Sequence, residues 1–126
     1  EYENKHIVIA GAGNLVGRPV ALWLFSGHAS FSVINQYTPN PEHFLKMADI
    51  IISGIGNPKF ITGDKIKEGA VVIDAGTSES EGKLVGDVDF ESVSTKASYI
   101  TPVPGGVGPV TIALLLKNLF ILSKQN

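Results

Sequence analysis

The sequence predicts an α/β domain with a doubly wound, mostly parallel sheet and helices on both of its faces. Short apolar runs, typical of buried parallel strands, recur along the chain. Segments with helical patterning alternate with these runs, as expected for a parallel sheet. A glycine-rich turn separates the first run from the first helical segment. With 126 residues and no internal repeat or linker, the chain is predicted to form one domain, 1–126.

The individual elements are assigned from apolar runs and from residues that begin or end helices. The predicted strands are residues 6–10, 31–34, 49–53, 70–74 and 97–100. The predicted helices run from about Pro19 through Phe25, from Pro41 through Ala48, from Thr62 through Ile66, from Asp89 to Thr95 and from Val110 to about Ser123. Asn40, Thr62 and Asp89 are the predicted N-caps. The polar segment 78–83 is predicted as a surface hairpin or loop.

The last predicted helix is apolar nearly all round, because it carries Ile112, Leu114, Leu115, Leu116, Leu119 and Phe120. A helix without a polar face is normally buried. We expect this helix to lie against the sheet or against a neighbouring domain, and it could also support dimerisation.

Composition excludes several classes of function. Ten Lys+Arg against twelve Asp+Glu give a net charge of -2 without a basic cluster, so no nucleic-acid partner is expected. No apolar run approaches the ~18 residues of a transmembrane helix, so no membrane partner is expected. The absence of cysteine excludes disulfides and thiolate zinc sites and is compatible with a cytoplasmic location. His6, His28 and His43 lack metal-ligand spacing, and no metal site is predicted.

The turn Gly11-Ala12-Gly13-Asn14-Leu15-Val16-Gly17 carries the first functional signal. Glycine allows the backbone to turn sharply and to approach a pyrophosphate without a Cβ in the way. The N–H groups that open the next helix then point at the phosphates. Its position between an apolar strand and a helix predicts a dinucleotide site of Rossmann type. A plain strand-to-helix turn remains the alternative.

Two further segments follow predicted strands, where ligands bind in open α/β sheets. Asn35-Gln36-Tyr37-Thr38 offers neither the acidic residue that would bind a ribose 2′-hydroxyl nor an arginine for a 2′-phosphate, and it could equally be a loop without a ligand. Residues 101–111 contain three prolines and three glycines, which indicates a rigid loop at the ligand-binding rim. A rigid crossover is the alternative there. Asp74 and Asp87 are interpreted as carboxylates that bind backbone N–H groups.

The segment Pro104-Gly105-Gly106-Val107-Gly108-Pro109-Val110-Thr111 resembles the signature of the bifunctional methylenetetrahydrofolate dehydrogenase/methenyltetrahydrofolate cyclohydrolase family. Other segments resemble that family in the same order, among them Val16-Gly17-Arg18-Pro19, Gly56-Asn57-Pro58 and Lys83-Leu84-Val85-Gly86-Asp87-Val88. The resemblance runs from His6 to Asn118 and covers only the family's C-terminal NAD(P)-binding domain. It implies oxidation of 5,10-methylenetetrahydrofolate with NAD(P)+, followed by hydrolysis to 10-formyltetrahydrofolate.

The resemblance also implies which residues bind. The cofactor-binding residues, for NADP or NAD, are Gly11, Gly13, Asn14, Leu15, Val16, Gly17, Asn35, Gln36, Ile55, Gly76, Thr77 and Thr111. The residues that border the tetrahydrofolate derivative are Pro104, Gly105, Gly106, Val107 and Gly108. No catalytic residue is predicted, because the family carries its catalytic lysine in an N-terminal domain that this sequence does not contain. The isolated chain is therefore expected to be inactive, and the full-length enzyme to be a homodimer.

Three positions depart from the family's usual pattern. Gly11-Ala12-Gly13 replaces Gly-Arg-Ser, Asn35-Gln36 replaces His-Ser, and Gly76-Thr77-Ser78 replaces Gly-Ile-Asn. The first two changes remove groups that would bind a 2′-phosphate, so NAD is expected to bind at least as well as NADP. A truncated or degenerate, non-catalytic module that binds a nucleotide or a partner is the alternative function.

Overall fold

The computed structural model describes residues 2–125, so Glu1 and Asn126, the ends of the predicted domain 1–126, lie outside the described residues. Five strands form one parallel sheet: β1 (His6–Ala10), β2 (Ser30–Ile34), β3 (Ile50–Ser53), β4 (Val71–Asp74) and β7 (Tyr99–Ile100). Two short strands, β5 (Ser78–Ser80) and β6 (Lys83–Val85), pair antiparallel as a separate hairpin. The hairpin predicted as one of two possibilities for 78–83 is thereby confirmed.

The sheet has the strand order β2-β1-β3-β4-β7. From β1 the chain first moves outward to β2 and then returns to the other side of β1 to add β3, β4 and β7. With the hairpin left aside, this is one of the two common orders of doubly wound sheets. Ligands bind to such sheets at the carboxyl ends of the strands beside the reversal, which here lies between β1 and β3. The predicted fold class is confirmed.

Helices cover both faces of the sheet. They are α1 (Gly17–Ser26), α2 (Pro41–Met47), a 3-10 turn (Gly63–Lys65) and α3 (Phe90–Ser94), whereas the last helix, α4 (Val107–Ser123), follows β7 and is described below. Alternate residues of β1 enter two separate cores: Ile7 and Ile9 pack with Leu24 of α1. Val8 and Ala10 belong to the core that holds Leu45 of α2 and Val93 of α3. Because both faces of the sheet are covered, its strands are continuous apolar runs in the sequence. Complete burial of one such aliphatic side chain contributes about 1.5–3 kcal/mol.

Helix α4 begins earlier than predicted. The sequence placed its start at Val110, whereas the structure has Val107, Gly108 and Pro109 in its first turn. Proline fits there because the first N–H groups of a helix have no partner within it. Part of the predicted rim loop is therefore helical.

The three predicted N-caps occupy the N-cap positions, but none makes a capping hydrogen bond through its side chain. Asn40 adopts a left-handed conformation with φ 48°. The Thr62 hydroxyl instead donates to Asp64, and the Asp89 carboxylate lies 3.6 Å from Lys59 Nζ. The three predicted N-cap positions are confirmed, although none of the three side chains caps its helix.

Helix α4 does not lie against the sheet. Every residue of α4 from Gly108 onward is exposed, including the apolar side chains of Leu115 and Leu119. The expectation that the sheet buries this helix is wrong, because the helix leaves the edge of the sheet after β7 and extends away from it. Burial against a neighbouring domain stays a prediction. Among residues 2–125, the structure contains no helix whose length and apolar character would let it span a membrane.

Candidate functional site

Two glycines allow the turn after β1 to pack closely. Gly11 has φ +105°, its N–H donates to the Ile34 carbonyl at 2.8 Å, and a Cβ on it would lie 2.5 Å from the Gly54 carbonyl oxygen. Gly17 begins α1, and a Cβ there would overlap the carbonyl oxygen of Gly11. The turn therefore packs against its own helix and against the end of β3. Gly17 leaves no room for a side chain, as the turn motif predicts.

The outer side of the turn is open to ligands. Gly13, Asn14 and Leu15 are exposed, and a Cβ on Gly13 would meet no atom within 4 Å. Arg18 is the second residue of α1, and its Nη1 donates to Asn14 Oδ1 at 2.7 Å. This guanidinium thus lies at the glycine turn itself. The open backbone and the adjacent cation suit an anionic group.

The larger cavity, of about 670 Å³, opens between this turn, the end of β4, and the loop that leads into α4. Its lining includes residues that were predicted from the sequence to bind two different, neighbouring ligands. From the predicted cofactor set it is lined by Leu15, Val16, Gly76, Thr77 and Thr111, and from the predicted substrate set by Pro104, Gly105, Gly106, Val107 and Gly108. Segments far apart in sequence therefore meet at one edge of the sheet. The loop includes a cis peptide bond between Val103 and Pro104.

A smaller cavity, of about 430 Å³, lies at the ends of β2 and β3. Of the predicted cofactor residues, Asn35, Gln36 and Ile55 line it. The Asn35 side chain accepts a hydrogen bond from the Tyr37 N–H at 2.9 Å, and the Asn35 N–H donates to Thr38 Oγ1 at 2.9 Å. These two bonds fix the conformation of the segment.

The remaining predicted cofactor residues, Gly11, Gly13, Asn14 and Gly17, line neither of these two cavities. They form the turn after β1, the strand that lies between β2 and β3. Leu15 and Val16 of the same turn line the larger cavity, and the smaller cavity lies at the ends of the two strands that flank β1, so the turn is close to both cavities. A ligand with two ends could thus reach both cavities across this turn.

Sequence reasoning missed several lining residues. Asn57 and Phe60 line the smaller cavity, and Asp74 and Leu84 line the larger one. Asn57 belongs to the Gly56-Asn57-Pro58 segment of the resemblance, which was the available signal for it. Leu84 lies in the hairpin strand β6, within the Lys83–Val88 segment of the resemblance, but nothing in that segment indicates that the hairpin reaches the cavity.

Two buried carboxylates, Asp74 and Asp87, bind backbone groups at this edge of the sheet. Asp74 accepts hydrogen bonds from the N–H groups of Gly76 at 2.9 Å, Val88 at 3.0 Å and Asp87 at 3.2 Å. Burial raises the pKa of Asp74 above its ordinary value, although the N–H donors oppose the shift. Asp87 is fully buried and accepts four hydrogen bonds. The prediction that both aspartates bind backbone N–H groups is confirmed.

A parallel, doubly wound sheet with a glycine turn at its reversal and two cavities at the same ends of its strands defines a dinucleotide-binding domain. Sequence comparison then identifies the family. A family model described as "Tetrahydrofolate dehydrogenase/cyclohydrolase, NAD(P)-binding domain" matches residues 1–126. The chain belongs to this family and is its NAD(P)-binding domain.

Relatives and solved structures agree with this assignment. The chain is 51% identical to the Bifunctional protein FolD of Caldicellulosiruptor saccharolyticus, over 100% of this chain and 46% of the relative. A crystal structure of the Campylobacter jejuni bifunctional enzyme FolD superposes with a TM-score of 0.87 at 51% identity, covering 90% of this chain and 41% of that one. The Trypanosoma brucei enzyme, complexed with NADP cofactor and inhibitor, superposes with a TM-score of 0.88 at 42% identity over 96% and 44% of the two chains. The chain thus spans less than half the length of the curated relatives it matches.

Proposed function

We propose that this chain holds NAD(P) beside a tetrahydrofolate derivative in a longer enzyme. That enzyme oxidises 5,10-methylenetetrahydrofolate to 5,10-methenyltetrahydrofolate and hydrolyses the product to 10-formyltetrahydrofolate. The observation that carries the proposal is the meeting of two sets of residues in the larger cavity, one from the glycine turn and one from residues 104–108.

The residues present fit a dinucleotide. The backbone at Gly13 is open for a pyrophosphate, with Arg18 at the same turn. The smaller cavity, with Asn35 and Gln36, is assigned to the adenosine end. The larger cavity is assigned to the nicotinamide end, with the folate against the loop at Pro104. A bound dinucleotide supplies the hydride acceptor, and these residues bind and orient it.

Among residues 2–125, the lining of the larger cavity offers no free acid or base for the reaction. Among the described residues that line the larger cavity, Asp74 is the one titratable side chain. Three backbone N–H groups occupy its two oxygens, so it holds loops in place. We therefore assign proton transfer, and the hydrolytic step, to parts of the enzyme outside these 126 residues. The full-length enzyme is proposed to be a cytoplasmic homodimer.

A second candidate function rests on α4. Its exposed apolar length supports a role in contacting another protein segment, and we assign that segment to the remainder of the longer enzyme. A module that only binds a nucleotide or a partner, without turnover, is the competing possibility.

One pair of assays separates these functions. Titration of the chain with NAD+ and NADP+ should give saturable binding, whereas the same chain with 5,10-methylenetetrahydrofolate should form no reduced nicotinamide. The complete enzyme should form it. Failure of the chain to bind either dinucleotide would contradict the proposal, as would turnover by the chain alone at a rate near that of the complete enzyme.

A further inference from the structure

We propose that Asp87 is a positioning residue for dinucleotide binding, because its buried carboxylate fixes the segment on which the glycine turn rests. The inference rests on the proposed function, since it concerns how the same site is held in shape. Asp87 lines neither of the two cavities, so it acts through the groups that it binds.

The Asp87 carboxylate accepts hydrogen bonds from four donors in one short segment, residues 53–57. Its Oδ2 accepts from the Ser53 hydroxyl at 2.7 Å and from the Ile55 N–H at 2.7 Å. Its Oδ1 accepts from the N–H groups of Gly56 at 2.9 Å and Asn57 at 3.0 Å. Three consecutive backbone N–H groups therefore wrap around one side chain, which sets the path of the chain as it leaves β3.

That path touches both parts of the candidate site. The Gly54 carbonyl lies directly against Gly11 of the glycine turn, and a Cβ on Gly54 would lie 2.7 Å from Val16 Cβ. Further along the segment, Ile55 and Asn57 line the smaller cavity. A shift of this segment would thus move the support of the turn and one wall of the cavity together.

Two neighbouring residues make room for the Asp87 side chain and fix its backbone. A Cβ on Gly76 would overlap the Asp87 carboxylate, so glycine at this position makes room for it. Asp74 holds the backbone on either side of the Asp87 carbonyl by accepting from the N–H groups of Asp87 and Val88. Gly76 and Asp74 both line the larger cavity, so the same network reaches that side of the site as well.

A positioning role and a purely electrostatic effect of Asp87 predict opposite changes in dinucleotide affinity for Asp87→Asn. A dinucleotide is an anion, and removal of a negative charge near its site would by itself strengthen binding. In the asparagine variant, however, an NH2 group replaces one carboxylate oxygen and faces one or two N–H donors, whichever way the amide is turned. The segment would then lose its anchoring, and binding would weaken.

The experiment measures dinucleotide binding and turnover in the complete protein. Asp87→Asn should raise the Kd and the KM for NAD(P)+ at least tenfold while kcat changes less than threefold, because Asp87 contacts no reacting group. Asp89→Asn is the matched control: it removes the same charge two residues away, where the partly exposed carboxylate lies 3.6 Å from Lys59 Nζ. Its Kd should stay within twofold of the wild-type value. Hydrogen exchange of the N–H groups of residues 55–57 should accelerate in Asp87→Asn only.

Each outcome decides the question. Wild-type protein that binds no dinucleotide would overturn the proposed function and this inference with it. Wild-type binding with a Kd that is raised less than tenfold, unchanged or lowered in folded Asp87→Asn overturns the positioning role alone, and so does an equal loss in Asp89→Asn. If Asp87→Asn does not fold, Ser53→Ala decides, since it removes one of the four donors. A Kd raised at least threefold in folded Ser53→Ala supports the inference, and a smaller change overturns it.

Discussion

Gly13 and Gly17 belong to one turn, but glycine is required at the two positions for different reasons. A Cβ on Gly17 would overlap backbone of the turn itself, whereas a Cβ on Gly13 would meet only open space. Gly17 is thus required by packing, and Gly13, on our assignment, by the approach of a ligand. The spacing of glycines in the sequence cannot separate these two reasons, because both require the same residue type, glycine.

A pair of alanine substitutions tests this difference. Gly17→Ala should lower the free energy of unfolding by about 1–3 kcal/mol, as overpacking does, and should weaken dinucleotide binding. Gly13→Ala should leave the free energy of unfolding within about 1 kcal/mol of the wild-type value and still weaken binding. Denaturant unfolding and calorimetric titration check both halves. A Gly13→Ala variant with wild-type affinity would exclude close approach of the pyrophosphate there.

Asp49 precedes β3 at the opposite ends of the strands and lines neither cavity, so we expect it to affect stability rather than binding. A hydrogen bond from Lys67 Nζ at 2.6 Å, aided by the His6 N–H at 2.9 Å, lowers the pKa of Asp49 below its ordinary 3.8. A carboxyl group whose pKa is lowered on folding stabilises the folded state above its ordinary pKa. That stabilisation is lost as the pH falls through the lowered pKa.

Asp49→Asn should therefore be less stable than wild type at pH 7 by at most about 1 kcal/mol, because Lys67 is half exposed and the pair is screened by solvent. The difference should shrink as the pH falls below 3.8. Chemical denaturation at several pH values measures it, with Glu68→Gln as the control for loss of an exposed carboxylate. A difference that grows toward acid pH would contradict the assignment of the shift to Lys67 and His6.

At the scale of elements, the predictable parts are those that local chemistry determines. Strand β1 matches its predicted bounds, since an apolar run that ends in glycine has few alternatives. The last strand was predicted as 97–100 but is β7, Tyr99–Ile100. Ser98 precedes it, with its hydroxyl donating to the Gly69 carbonyl at 2.8 Å. Such a long-range contact has no signature in the local sequence.

Helix α4 gives a prediction for the chain in isolation. Leu115 is 66% exposed and Leu119 is 64% exposed, so they bury little apolar surface in this chain and offer it to other molecules. The chain should self-associate at high concentration, and the double variant Leu115→Gln/Leu119→Gln should reduce that association. Its free energy of unfolding should change by less than about 0.5 kcal/mol per substitution.

Light scattering with size-exclusion chromatography reads out the association, and Lys117→Gln on the same helix serves as the control. In the complete enzyme the same double variant should be clearly destabilising, because we assign the remainder of the enzyme as the cover of α4. Equal effects in the chain and in the complete enzyme would contradict that assignment.

For the molecule as a whole, the sequence indicated the fold and most of the cavity lining, because strand ends of a parallel sheet must meet at one edge. What it could not supply was the contact between separate loops at that edge. Asp87 is predicted from sequence to bind backbone N–H groups, yet only the structure shows that these groups belong to residues 55–57. The prediction that the sheet covers helix α4 was wrong because an apolar pattern indicates that a helix is buried but does not indicate which surface buries it.

The choice between the two dinucleotides depends on charge across the whole site. A 2′-phosphate carries about -1.5 to -2 charges and is normally held by arginine or lysine. Neither cavity, as the described residues line it, includes a lysine or an arginine, and no acidic side chain lines the smaller one. Each missing charge-assisted hydrogen bond is worth about 1.5–3 kcal/mol, which corresponds to one to two decades of affinity.

NAD+ should therefore bind at least as tightly as NADP+, although NADP is the cofactor in the solved Trypanosoma brucei relative. Arg18 is the group that could reverse this order, because its guanidinium already lies at the glycine turn, bonded to Asn14. Dissociation constants for both dinucleotides, at low and physiological salt, should be compared between wild type and Arg18→Gln. If Arg18 contacts only the pyrophosphate, the variant weakens NAD+ and NADP+ by the same factor. A wild-type preference for NADP+ that fades with salt and disappears in Arg18→Gln would instead mean that Arg18 binds the 2′-phosphate.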